Sequence, residues 1–153
     1  LLFMKKFLTL LAMSLIALSS LVSCIKVTPQ SAAGTYNYYS FDVEFSPNTI
    51  ELEACASELK SAAKEAFTGS SFVLNADNTC TMVLDGFSVP GTYILTESGE
   101  ISFLLSDDNP IIGGKINNDT LTLSVDLLQI DTFKDTLKAF GAETFNMKVT
   151  FKK

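Results

Sequence analysis

Beyond residue 34 the chain is patterned mostly in twos. Tyr39, Phe41, Val43 and Phe45 alternate with Ser40, Asp42 and Glu44, the period of a strand with one wet face. Ser46-Pro47-Asn48 stops that strand, and Asn48 with Glu51 has the spacing of a capping box. The helix it opens is expected to run to about Phe67, with Leu52, Cys55, Leu59, Ala62 and Ala66 on its apolar stripe and Gly69 in the turn beyond. From Ser71 the period returns to two. Phe72, Leu74 and Ala76 lead to a turn at Asp77-Asn78, and Cys80, Met82 and Leu84 lead to the hairpin signal Asp85-Gly86. Phe87, Val89, Gly91, Tyr93 and Leu95 share one parity, then Ile101, Phe103 and Leu105, then Ile112, Gly114 and Ile116, then Leu121, Leu123 and Val125. The breaks between them fall at Glu97-Ser98-Gly99, Asp107-Asp108-Asn109-Pro110 and Asn117-Asn118-Asp119. Gly113-Gly114 reads as a bulge or bend.

Leu127, Ile130, Phe133, Leu137 and Phe140 are spaced as a second helix, capped by Asp126 or Asp131 and followed by Gly141. Phe145, Met147, Val149 and Phe151 form a last alternating strand. Antiparallel strands with a single apolar face must hide that face and their edges. The expectation is a mainly β domain: an up-and-down antiparallel β-barrel of about eight strands, one helix inserted after strand 1 and a second before the last strand.

The first residues follow another pattern. Met4-Lys5-Lys6 opens an apolar run from Phe7 to Val22 that ends at Leu21-Val22-Ser23-Cys24. Sixteen residues are short for a membrane span, which needs about 20. The layout resembles a bacterial lipoprotein signal peptide and its lipobox, whose cysteine receives diacylglycerol. The resemblance implies a signal peptide over 1–23, a lipidated Cys24 with a tether over 24–33, and a domain over 34–153. Acyl chains on Cys24 would then hold the protein to a membrane without help from the globular part. Ile25-Lys26 after the cysteine, with no aspartate and no acidic run, implies the outer membrane and its periplasmic face by the sorting habits of that family.

Composition narrows the function. Without Lys5 and Lys6, nine lysines face 17 acidic side chains, and arginine, histidine and tryptophan are absent. That disfavours nucleic acid as a partner. Without histidine there is no Ser-His or Cys-His nucleophile pair and no histidine zinc site. No phosphate-binding glycine loop occurs, and Asp107-Asp108-Asn109 reads as a solvated turn before Pro110. No enzyme activity, metal or cofactor is expected. Cys55 and Cys80 are a candidate disulfide or two buried thiols.

Gly34-Thr35-Tyr36 resembles the Gly-x-Trp start of lipocalins, with tyrosine for tryptophan. The hairpin Phe72–Thr81, the strand start Gly91-Thr92-Tyr93, and Ile101-Ser102-Phe103 and Leu121-Thr122-Leu123 resemble, in order, strands of lipocalin-like lipoproteins of gut bacteria. The likeness spans roughly 34–152. It departs from lipocalins in lacking the arginine that packs on the first-strand ring, and in placing the helix 48–67 where they carry a long loop. It implies a lipocalin-like barrel whose inward rings, Phe41, Phe45, Phe72, Phe87, Tyr93, Phe103, Phe145 and Phe151, either line a pocket for a small hydrophobic ligand or fill the barrel. In the second case the domain is a structural or protein-interaction module without a ligand.

Overall fold

The structure, a computed structural model, describes residues 26–105 and 112–153. The signal segment, Cys24 and the turn Asp107–Pro110 lie outside the described residues. The strands are β1 (Gly34–Ser46), β2 (Ser71–Leu74), β3 (Thr79–Leu84), β4 (Phe87–Leu95), β5 (Glu100–Leu104), β6 (Ile112–Asn117), β7 (Thr120–Asp126) and β8 (Thr144–Lys152). Each pairs antiparallel with its sequence neighbours, and β8 pairs with β1 to close an eight-stranded barrel. The expected up-and-down topology is therefore the observed one. Helices α1 (Pro29–Ala32), α2 (Ile50–Phe67) and α3 (Asp131–Ala139) complete the chain, and Leu127–Gln129 forms a 3₁₀ turn ahead of α3.

β1 is long because it serves two partners. Gly34–Asn37 pair with β2, and Asn37–Ser46 pair with β8. The register with β8 slips between Tyr38 and Ser40, leaving Tyr39 as the inserted residue of a bulge. The bulge reverses the parity of the strand. Tyr36 and Tyr38 face in below it, and Phe41, Val43 and Phe45 face in above it. Tyr39, expected on the apolar face, instead stands 61% exposed with the Lys152 ammonium 3.6 Å from its ring centre.

The turns follow local chemistry. Asp85 and Gly86 both have positive φ, 47° and 78°, the pairing of a type I′ hairpin, whose twist matches its strands. Gly113-Gly114 is no bulge, since the register runs unbroken through it. Gly114 is there for clearance: a Cβ would lie 2.5 Å from the Thr122 carbonyl oxygen. Gly91 is tighter still, at 2.3 Å from the Leu104 carbonyl oxygen.

Two apolar clusters hold the fold. Inside the barrel, Tyr36, Phe72, Tyr93, Phe103 and Phe151 pack with Leu74, Cys80, Ile101 and Leu121. At the end where β1 finishes, Val43 and Phe145 meet Leu52 and Ala56 of α2, Leu127, and Leu137 of α3. The helices thus form a second layer over that mouth. α2 is capped by Thr49, whose hydroxyl accepts from the Leu52 amide, and not by Asn48. Its buried face is Leu52, Ala56 and Ala63, while Ala62 and Ala66 are exposed. The stripe is rotated from the expected one because Phe67 turns inward to stack on Tyr38 and Phe41. Asp126 caps the 3₁₀ turn through the Leu128 amide, and Asp131 sits in the first turn of α3 without capping it.

The segment before β1, expected as a tether, is docked. Thr28 and Ser31 form a reciprocal capping box that opens α1. Ala32 is only 1% exposed and joins the barrel cluster. The buried Tyr36 hydroxyl donates to the Ala32 carbonyl at 2.7 Å. The Val27 amide donates to the Glu97 carbonyl at 3.0 Å, and the Lys153 ammonium donates to the Ser31 carbonyl at 3.1 Å. The end of the barrel opposite the helices is closed by these residues.

Candidate functional site

The barrel interior is the expected place for a ligand, so the position of each candidate ring bears on its use. Phe72, Tyr93, Phe103 and Phe151 meet in the middle of the barrel. Phe72 lies 4.9 Å from Phe103 and 5.1 Å, edge on, from Phe151, centre to centre. Those are contact distances for aromatic pairs. Phe45 and Phe145 stack at 5.7 Å beneath the helices, in the other cluster. Phe41 is half-buried at the junction, stacked on Phe67 at 6.4 Å. Phe87 joins none of them: it has the inward parity of β4 but sits at the hairpin tip past the rim, 74% exposed. Of the eight candidate rings, Phe72, Tyr93, Phe103 and Phe151 are therefore brought together inside the barrel, and Phe41, Phe45, Phe87 and Phe145 lie elsewhere.

Polar atoms inside are satisfied. Among the described residues no buried side-chain nitrogen or oxygen lacks a hydrogen-bond partner, so none stands ready for a ligand's polar group. The Tyr93 hydroxyl donates to the Asn75 carbonyl. Burial pushes the Tyr36 phenol up to about 12, with the Asp119 carboxylate and Tyr93 adding to it. Burial also raises the Cys80 thiol, which makes it a poor nucleophile. Asp77 is held below the usual carboxylate range by the hydroxyl and amide of Thr79, a turn contact with no catalytic geometry. Cys55 and Cys80 are both free, so the candidate disulfide is not formed. They belong to different layers, Cys80 to the barrel cluster and Cys55 to the edge of the helical one. Among the described residues no group of three acids or cysteines is placed to hold a metal.

The Tyr36 phenol gives a pH signature. Its folded-state pKa lies above the free value of 10.0, so the fold holds the neutral form and loses nothing on this account below pH 10. Stability falls as pH rises from 10 towards 12. Denaturant melts across that window should show the fall, and Tyr36→Phe should flatten it.

One feature has no counterpart among the sequence expectations. A groove of about 310 Å³ runs between α2 and α3, floored by Leu59, Ala62, Leu137 and Phe133, with Glu58 and Cys55 on its side. Phe133 is 39% exposed in it. The signal was present: Phe133 lies on the apolar stripe of a short, otherwise polar helix. Which part of that stripe meets the barrel depends on how α3 follows the 3₁₀ turn. A second hollow, polar and open, lies on the outer face of β5–β8 between Glu100, Lys115 and Lys148. Among the described residues no helix is long and apolar enough to cross a membrane.

No protein-family profile matches this chain, and no curated protein matches it. Among solved structures, the crystal structure of a DUF4847 family protein from Bacteroides vulgatus ATCC 8482 aligns with 80% of this chain and 93% of that chain, at a TM-score of 0.45 and 13% identity.

Proposed function

We propose that this is a lipid-anchored protein of the bacterial cell envelope. Cys24 carries the acyl chains, at the periplasmic face of the outer membrane, and the filled lipocalin-like barrel serves as a structural or protein-interaction module. The observation that carries this reading is the packing of Phe72, Phe103 and Phe151 inside a barrel covered at both ends, by α1 at one and by α2 and α3 at the other. A carrier of small apolar ligands needs an enclosed apolar cavity of several hundred Å³, and the rings stand where it would be. The anchor is supported by the lipobox-like Leu21-Val22-Ser23-Cys24. The lipocalin-like kinship is supported by Tyr36, buried at the position of the family's first-strand ring, and by Lys153, whose ammonium lies 5.3 Å from that ring's centre. Lysine there does what arginine does in the lipocalin pattern: it lays a cation over the ring.

Native mass spectrometry of the membrane-extracted protein tests both halves. The expected mass is the polypeptide from Cys24 plus its acyl chains, with no further apolar passenger. A stoichiometric co-purifying lipid or other apolar molecule would overturn the filled-barrel reading in favour of a ligand carrier. Cys24→Ser is expected to move the protein from the membrane fraction to the soluble one. Retention in the membrane fraction would overturn the anchor.

A further inference from the structure

The docked segment fixes which end of the barrel faces the membrane. This rests on acylation of Cys24, as proposed above, and adds to it an orientation. If residues 24–33 were a free tether, the domain could turn at a distance of up to ~30 Å from its anchor. They are not free from Val27 onward. The Val27 amide is bonded to the Glu97 carbonyl at 3.0 Å, and its side chain packs on the barrel cluster. The Lys26 ammonium reaches the Glu97 carboxylate at 3.2 Å. Ala32 is buried and held by Tyr36. Three residues from Cys24 to Val27 span at most ~10 Å.

We infer that the α1 end of the barrel, with its turns at Glu97–Gly99 and Asn117–Asp119, is a membrane-apposed face that rests on the lipid headgroups. The helical end, with the α2–α3 groove and the Phe87 hairpin tip, then points away from the bilayer. The face carries Lys26 and Lys153 beside Glu97 and Asp119, a near-balanced set without a basic patch. The headgroups are therefore met by chain length and not by charge, and the orientation holds on zwitterionic lipid at any salt concentration. The Phe87 tip lies eight residues along β4 from Leu95, up to ~26 Å of strand further from the lipid.

The absence of tryptophan makes the test clean. The acylated full chain is placed in phosphatidylcholine vesicles containing a lipid with a nitroxide on its headgroup, and a single tryptophan is introduced by Ser98→Trp or by Phe87→Trp. Asn117→Trp gives a second reporter on the lipid side. The expected result is loss of most emission at Ser98 and Asn117 and little loss at Phe87, unchanged by added salt. Equal quenching at both ends, or stronger quenching at Phe87, in protein that floats with the vesicles would overturn the orientation and leave the anchor standing. Protein that fails to float would overturn the anchor and the orientation together.

Discussion

Phe103→Ala is expected to lower the unfolding free energy by about 3–5 kcal/mol, the cost of emptying a ring-sized space in a core that cannot collapse. Phe103 is 0% exposed and touches the rings of both Phe72 and Tyr93. Its neighbours across the barrel are tied to strands whose backbone bonds run around a closed circuit, so they cannot move in to fill the gap. The melting temperature should fall by roughly 10–20 °C. The cavity would lie beside Cys80, buried in the same cluster. Reaction of Cys80 with a thiol reagent under native conditions, followed by peptide mass, should therefore accelerate along with global unfolding. A change below about 1 kcal/mol would mean that the ring bordered a space already present, and the filled-barrel reading would fail with it.

Leu52→Ala is the second large effect, about 2–5 kcal/mol by the same reasoning, with a different outcome in space. Leu52 is fully buried between α2 and the inward side chains Val43 and Phe145. It belongs to the helical layer and not to the barrel cluster. Its loss should let α2 open as a unit while the strands stay paired. Cys55, one turn further along α2 and partly buried, is a built-in reporter. Thiol labelling should speed up at Cys55 and remain slow at Cys80, and amide exchange should quicken over Ile50–Phe67 alone. Equal acceleration at both cysteines would show a single cooperative core instead of two.

The strands were legible because each carries its apolar residues at a period that only a half-buried sheet explains. Asp85-Gly86 and Asn117-Asn118-Asp119 then gave the hairpins through backbone conformations few other residues adopt. The bulge at Tyr39 was not legible. Tyr38 and Tyr39 are chemically identical, so alternation could be counted through either one, and only pairing with Phe151 selects Tyr38. The buried face of α2 lies one position from the expected one for a similar reason. Alanines at 54, 56, 62, 63 and 66 offer several stripes of equal merit, and the choice is made by Phe67 docking into the barrel. α1 has the look of a tether in sequence because Pro-Gln-Ser-Ala has no apolar period. Its docking comes from Ala32 fitting a barrel end and from the Tyr36 hydroxyl, inside the barrel, reaching back to it. That is tertiary information. The same holds for the candidate site: rings that fill a barrel and rings that line a cup occupy the same positions in sequence, and only their separations tell them apart. Phe87 shows the limit of parity alone, since it has the right phase and lies one step too far along the strand.

β1 is held on one side by a strand that follows within forty residues and on the other by the final strand, with Asn37 opposite Lys152. The circle therefore cannot shut until the nine residues of β8 have been synthesised, because β8 supplies partners to both β1 and β7. Contacts of such sequence separation form slowly. Until then the nascent polypeptide keeps two unzipped borders, so commitment to the folded state waits for the arrival of β8.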